Sequence, residues 1–277
     1  MTEHPLLSRL INDLRVGDRF KQRMALQRLA QLKDVRALDA IIEKLNDSDR
    51  GIRALAVQTL GSLGTDAALP HLVTALEDGS REVRRAAVFA LGRAGGSAAL
   101  PYLIGTLLGD DDSYVRWEAA RALQMLADVR ALPSLIEALV ADQNSYVRYA
   151  AAETLGELGD HAALDALEDR LLYDTNEYVR YAAARALGEI ADLDAVPSLL
   201  RALHTDSNHV WHAAAEALWA LDEPVVERVV EHLLDSDDEL RRGALKSLLW
   251  MSKEWDDGTL GPHSDQWSVG VGWGWWN

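Results

Sequence analysis

The 277 residues include no cysteine. Disulfides, thiol catalysis and thiolate metal sites are therefore excluded. Basic residues are scarce: 28 Lys and Arg stand against 44 Asp and Glu, a formal net charge of −16. A protein that grips a nucleic-acid backbone needs cationic surface to displace counterions. Anionic membranes likewise attract basic segments. Neither partner is expected. No apolar run is long enough to cross a bilayer. The stretch MTEHPLLSRL lacks a basic start followed by an apolar core, so no secretory leader is expected and a cytoplasmic location is. There is no P-loop, no Gly-x-Ser-x-Gly and no Rossmann glycine pattern. Strand-like alternation is missing too.

What is present is repetition. DSYVRWEAARALQML (112–126), NSYVRYAAAETLGEL (144–158) and NEYVRYAAARALGEI (176–190) share one pattern. Their valines, Val115, Val147 and Val179, are 32 residues apart. The pattern extends upstream through Val83 and Ile52 to Phe20, and downstream through Val210 to Leu240. The steps from Phe20 to Leu240 are 32, 31, 32, 32, 32, 31 and 30. A period of this size marks a solenoid of small structural units.

Each unit reads as two helices. In the second, small and apolar residues recur at helical spacing, as in Val147, Ala150, Ala151, Leu155 and Leu158. Asp, Asn or Ser precedes it as a cap, and Gly64, Gly95 and Gly159 are placed to end it. The first helix is AALPHLVTAL (67–76), AALPYLIGTL (98–107), RALPSLIEAL (130–139) or DAVPSLLRAL (194–203). Pro70, Pro101, Pro133 and Pro197 are expected in its first turn, where a missing amide is tolerated. One such hairpin cannot bury its own apolar stripe, so neighbours must stack. The expected fold is all-α: an α-α superhelix of about eight two-helix repeats over residues 1–254. A Gly/Trp-rich tail follows over 255–277.

The unit D-x-x-YVRYAAAxxLGEL, with ALPxLIxAL before it, resembles the short HEAT-like repeats of the phycobilisome-lyase type. The resemblance spans roughly residues 5 to 254. It implies that the second helix of each unit lines a concave groove. It also implies a possible ligand, an open-chain tetrapyrrole, which such lyases help attach to a phycobiliprotein. None of that family's catalytic residues can be placed on this chain. Deoxyhypusine hydroxylase is another HEAT-repeat enzyme, with an iron site built from His-Glu pairs. This sequence contains no His-Glu dipeptide.

With the second helix facing the groove, the residue before the Val and the second residue after it share its exposed face. The first position runs Gly51, Glu82, Tyr114, Tyr146, Tyr178, His209 and Glu239. The second runs Ala54, Arg85, Trp117, Tyr149, Tyr181, His212 and Arg242. The middle of the array thus carries an aromatic band between charged ends. One turn on, Arg121, Glu153, Arg185 and Glu216 alternate in sign. Tyrosines copied from unit to unit could merely stiffen the repeat. Their confinement to neighbouring units favours a binding groove, because aromatic side chains dominate binding energetics.

Arg53, Arg84, Arg116, Arg148 and Arg180 follow the Val and are expected to pair with turn acids such as Asp110, Asp142 and Asp174. Val210 is followed instead by Trp211, and Trp219 stands in a glycine slot, so the unit around 208–221 is unusual. His209, His212 and Glu216 share one face, with His204 near in sequence, but these histidines fill slots held elsewhere by tyrosine. No metal or cofactor is assigned. The tail carries Trp267, Trp273, Trp275 and Trp276. It is expected either to pack on the last repeat, to dock in a groove, or to serve as a modifiable core for a tail-modifying enzyme. The function expected is a non-catalytic scaffold for a peptide, protein or planar ligand. A bilin lyase-type enzyme or chaperone is the alternative.

Overall fold

The repeat begins at its caps. In the computed structural model, which describes residues 5–203, 208–221 and 224–257, the Oδ1 atoms of Asp112, Asn144 and Asn176 accept the backbone N–H two residues on, each at 2.9 Å. These bonds satisfy amides that a helix start leaves unpaired. Sixteen α-helices follow one another among the described residues, with no strands. The first four units are α1 (Pro5–Val16) with α2 (Arg19–Leu32), α3 (Leu38–Glu43) with α4 (Arg50–Leu63), α5 (Leu69–Thr74) with α6 (Arg81–Ala94), and α7 (Gly96–Gly109) with α8 (Ser113–Leu126). The next four are α9 (Leu132–Ala141) with α10 (Ser145–Leu158), α11 (Leu164–Tyr173) with α12 (Glu177–Ile190), α13 (Val196–Ala202) with α14 (Asn208–Ala220), and α15 (Pro224–Glu231) with α16 (Asp238–Asp257). Eight helical hairpins therefore build an all-α repeat superhelix.

The even-numbered helices from α2 to α14 stack side by side. Ile52, Val83, Val115, Val147, Val179 and Val210 are all buried at these contacts. Glycine sets the spacing. A Cβ on Gly61 would come within 2.5 Å of Ala90 Cβ, and one on Gly188 within 2.8 Å of Ala217 Cα. Backbones approach there as only glycine against alanine permits.

Three details depart from the sequence reading. Asp18 caps α2 and Asp49 caps α4, so the first step is 31 residues. Phe20 therefore aligns with Gly51, not Ile52, and is largely exposed. Lys21 fills the valine slot, facing solvent at the end of the array. Pro101 is not in a first turn: α7 starts at Gly96, and Pro101 is its sixth residue. Pro70, Pro133 and Pro197 do sit at helix starts, each behind a 3₁₀ turn. Finally, Gly64 and Gly159 close their helices with left-handed φ of 62° and 65°, but Gly95 has φ −80° and Gly96 takes the left-handed turn at 51°.

Of the Gly/Trp-rich tail expected over 255–277, residues 255–257 are the last of α16, and 258–277, with Trp267, Trp273, Trp275 and Trp276, lie outside the described residues. So does His204. Among the described residues, no helix is long and apolar enough to cross a membrane.

Candidate binding face and the rungs that hold it

The recurrent arginine forms a ladder along the turns. Arg84 Nε meets Asp110 Oδ2 at 2.7 Å, Arg116 meets Asp142 at 2.7 Å, and Arg148 meets Asp174 at 2.7 Å. Each pair is bidentate, with Nη2 on the second carboxylate oxygen at 2.8–3.0 Å. The same guanidinium reaches back through Nη1 to a carbonyl of its own turn, as Arg148 does to Asp142 at 2.9 Å. Each carboxylate also accepts the N–H two residues on, as Asp174 does from Asn176 at 2.9 Å. One guanidinium thus joins two turns. Burial alone would raise the Asp174 carboxyl, but the Arg148 and Asn176 hydrogen bonds outweigh it and hold the pKa below its ordinary value. The expected pairings with Asp110, Asp142 and Asp174 are all made.

With the helices so fixed, the exposed stripe of the even-numbered helices can be followed residue by residue. Tyr114, Tyr146 and Tyr178 occupy the same position of α8, α10 and α12, each with its own N–H held by the cap. They are 54%, 58% and 61% exposed. The second row behaves differently. Trp117, Tyr149 and Tyr181 are half-buried and pack against the core. Both rows were expected to face the groove, and part of each ring of the second is covered by the core it packs against.

Polar side chains pin this second row. The Arg121 guanidinium lies 5.0 Å from the Trp117 ring centroid. The Tyr149 hydroxyl donates to Glu153 at 2.7 Å. Burial, then that bond to a carboxylate, pushes the Tyr149 phenol pKa well up. Arg185 pairs with Glu189 at 3.1 Å. Glu189 and Glu157 were not singled out from sequence, although both recur in the LGEL and LGEI endings. The Gln124 amide donates to Glu157. Burial raises the Glu189 carboxyl; Arg185 opposes this, while Glu157 and Glu153 add to it.

His209, His212 and Glu216 are exposed on α14. The His212 ring stands edge-on to Trp211, with centroids 4.7 Å apart. No group of three or more His, Asp or Glu suited to a metal occurs among the described residues. Trp211 and Trp219 pack where α14 meets α16. Both meet Trp250 of α16 nearly perpendicularly, at 6.3 and 6.2 Å. Trp219 fills the slot of Gly188, and α16 does not pack on α14 as α14 does on α12. It leaves the stack and lies mainly against α13. There Lys246 Nζ donates to Leu203 O at 2.9 Å, and Arg201 pairs with Asp237 at 3.0 Å. Two cavities, of 370 and 880 Å³, lie along the inter-repeat turns, lined by residues such as Arg116 and Asp142 or Arg53 and Arg84.

The family model for HEAT repeats matches residues 6–92, 69–156, 130–183 and 164–249. The chain belongs to the HEAT-repeat family. Among solved structures, Escherichia coli YibA is 23% identical over 87% of this chain and 92% of its own, with a TM-score of 0.58. The CpcE–CpcF complex of phycocyanin lyase from Nostoc sp. PCC7120 is 23% identical over 89% and 94%, with a TM-score of 0.48. Human deoxyhypusine hydroxylase is 23% identical over 90% and 96%, with a TM-score of 0.42. At these identities the likeness is one of fold alone. No curated protein matches the chain.

Proposed function

We propose that this HEAT-repeat protein is a non-catalytic scaffold that binds a peptide or protein segment across the even-numbered helices from α8 to α14. One observation carries the reading: Tyr114, Tyr146 and Tyr178 stand open to solvent at one position of three successive repeats. The fold does not need a ring there, because Gly51 and Glu82 fill the same slot on α4 and α6. Large rings exposed in register supply apolar area and a hydroxyl at low entropic cost.

A planar tetrapyrrole is the second reading, and Arg121 and Arg185 would have to meet its propionates. Arg121 is stacked on Trp117 and Arg185 is paired with Glu189. Both contacts would have to be given up, which favours the peptide. Titrating the protein with a linear tetrapyrrole separates the two readings: an unshifted visible spectrum at high protein concentration rejects the pigment.

The direct test selects peptides from a displayed library and measures them against Tyr146→Ala/Tyr178→Ala. Each lost hot spot costs about 2 kcal/mol, roughly thirtyfold in affinity. Unchanged affinity in a folded double variant rejects the scaffold reading. We assign the tail a docking or modifiable role. Deleting 255–277 with no change in melting temperature or partner binding removes the docking role, and an unaltered intact mass from the native host removes the modification.

A further inference from the structure

The charge on the even-helix face is unbalanced where the rings stand. Toward the N-terminus it is matched: Glu82 pairs with Arg50 at 3.5 Å, and Glu118 with Arg85 at 3.4 Å. From α8 to α14 the stripe carries Glu153, Glu157, Glu189 and Glu216 against two cations, Arg121, stacked on Trp117, and Arg185, engaged by Glu189 with Glu153 nearby. Glu153 and Glu157 accept only neutral donors, the Tyr149 hydroxyl and the Gln124 amide. Those bonds leave the negative charge in place. Burial is the main cause that raises the Glu189 carboxyl, and the nearby Glu157 and Glu153 add to it.

Aromatic faces beside uncompensated carboxylates are chemistry for a cation. A guanidinium or ammonium is drawn to the ring face, and carboxylates give it charge-assisted hydrogen bonds. Even-numbered helices repeat at about 10 Å, which one turn of an extended polyproline II chain, three residues at ~3.1 Å each with every third side chain on one face, also spans.

Resting on the scaffold reading above, we propose that the surface from Tyr114 to Glu216 binds an extended basic peptide in trans. Its Arg or Lys side chains, one every third residue, lie over the open rings of Tyr114, Tyr146 and Tyr178, among Glu153, Glu157 and Glu216. Arginine serves best, because its planar group both stacks and forks onto a carboxylate.

The test is fluorescence anisotropy with a labelled peptide carrying arginine at every third position. Peptides with glutamate or serine at those positions are the comparison. The arginine peptide should bind, weaken with salt, and lose about tenfold or more in affinity to Glu153→Gln/Glu157→Gln. Asp66→Asn/Glu227→Gln removes the same charge from exposed sites off this face and should leave affinity unchanged. Equal weakening by both pairs overturns the proposal, since net charge alone then attracts the peptide. If the serine peptide binds as tightly and Tyr146→Ala/Tyr178→Ala weakens it, the basic partner is rejected while the groove stands. If no peptide binds, or none responds to the tyrosine substitutions in a protein that keeps its helical spectrum, the groove falls as well.

Discussion

Removing the Arg148 guanidinium should unlatch the array at its most buried rung. Arg148 and Asp174 are 9% and 4% exposed. Arg148→Met leaves the Asp174 carboxylate with the Asn176 N–H and a distant Arg170 Nη1 at 3.9 Å. It also frees the carbonyls of Asp142 and Gln143, which Arg148 holds at 2.9 and 3.3 Å. A buried charge stripped of its partner costs about 3–5 kcal/mol. At about 2–4 °C per kcal/mol for a chain of this size, melting should fall by roughly 6–20 °C. The Arg53–Asp78 rung is more open, with side chains 19% and 15% exposed. Water can reach that carboxylate, so Arg53→Met should cost less, nearer the ~1 kcal/mol of an exposed pair. Urea unfolding followed by far-UV circular dichroism measures both. Because each repeat touches only its neighbours, the Arg148 variant should also broaden or split the transition. Arg148→Met/Asp174→Leu should recover most of the loss, since no lone charge remains. Equal costs at the two rungs, or a cost under ~1 kcal/mol at Arg148, would refute the view that burial of this pair latches the turns.

The ladder carboxylates also set the acid limit. Asp78 and Asp174 are held below the ordinary value by Arg53 and Arg148 against the opposing effect of burial. Their contribution is full above the unfolded carboxyl pKa of about 3.9 and is lost as pH falls through the lower folded value. Stability measured against pH should drop in that acid window, and Asp174→Asn should flatten the drop. Glu189 has the opposite sign: its raised pKa makes it unfavourable when charged, so Glu189→Gln should be at least as stable as the parent at neutral pH, with the difference vanishing in acid. Gly188→Ala, which drives a Cβ to 2.8 Å from Ala217 Cα, should destabilise by about 1–3 kcal/mol. Gly105→Ala, in α7 with open space around it, should instead stabilise by about 0.4–1 kcal/mol; thermal melts of the two variants check the pair.

The array was legible because its physics is periodic. Arg53 to Arg180 recur in phase with the turn acids, and a pairing repeated at constant spacing can be read without coordinates. Gly156 and Gly188 recur in phase with the alanines they touch, so their packing role could be read too. The errors fall where phase is broken. Phe20 looks like a member of the valine row, but the Asp18 cap fixes the helix start and turns the ring outward. Pro101 sits in the same ALP motif as Pro70. An acidic or polar residue that begins a 3₁₀ turn in other repeats is replaced by Gly95-Gly96, so α7 begins five residues before the proline. Nor could the sequence separate the two aromatic rows. Tyr146 and Tyr149 are three residues apart on one face, and only the neighbouring helix decides that the first is open and the second half-covered.

Phase-breaking also explains why one end of the face differs from its middle. A solenoid continues only while each interface accepts the next helix at the same distance. Gln124 occupies the glycine slot of α8 without ending the stack, because its flexible chain turns outward to Glu157. At α14 the same slot holds the Trp219 indole, which Trp250 meets edge-on, and α16 lies over α13. The regular surface therefore ends at α14, with His209, His212 and Glu216 as its last exposed residues. A ligand running across the tyrosine rows meets a boundary there that the fold itself imposes. This is why Trp219→Gly makes an informative variant: if the indole is the wedge, its removal should return α16 to the stack and extend the face by one helix. A cysteine pair placed on α14 and α16 of this cysteine-free chain reads that shift by cross-linking, and no gain over the parent would assign the break to another cause.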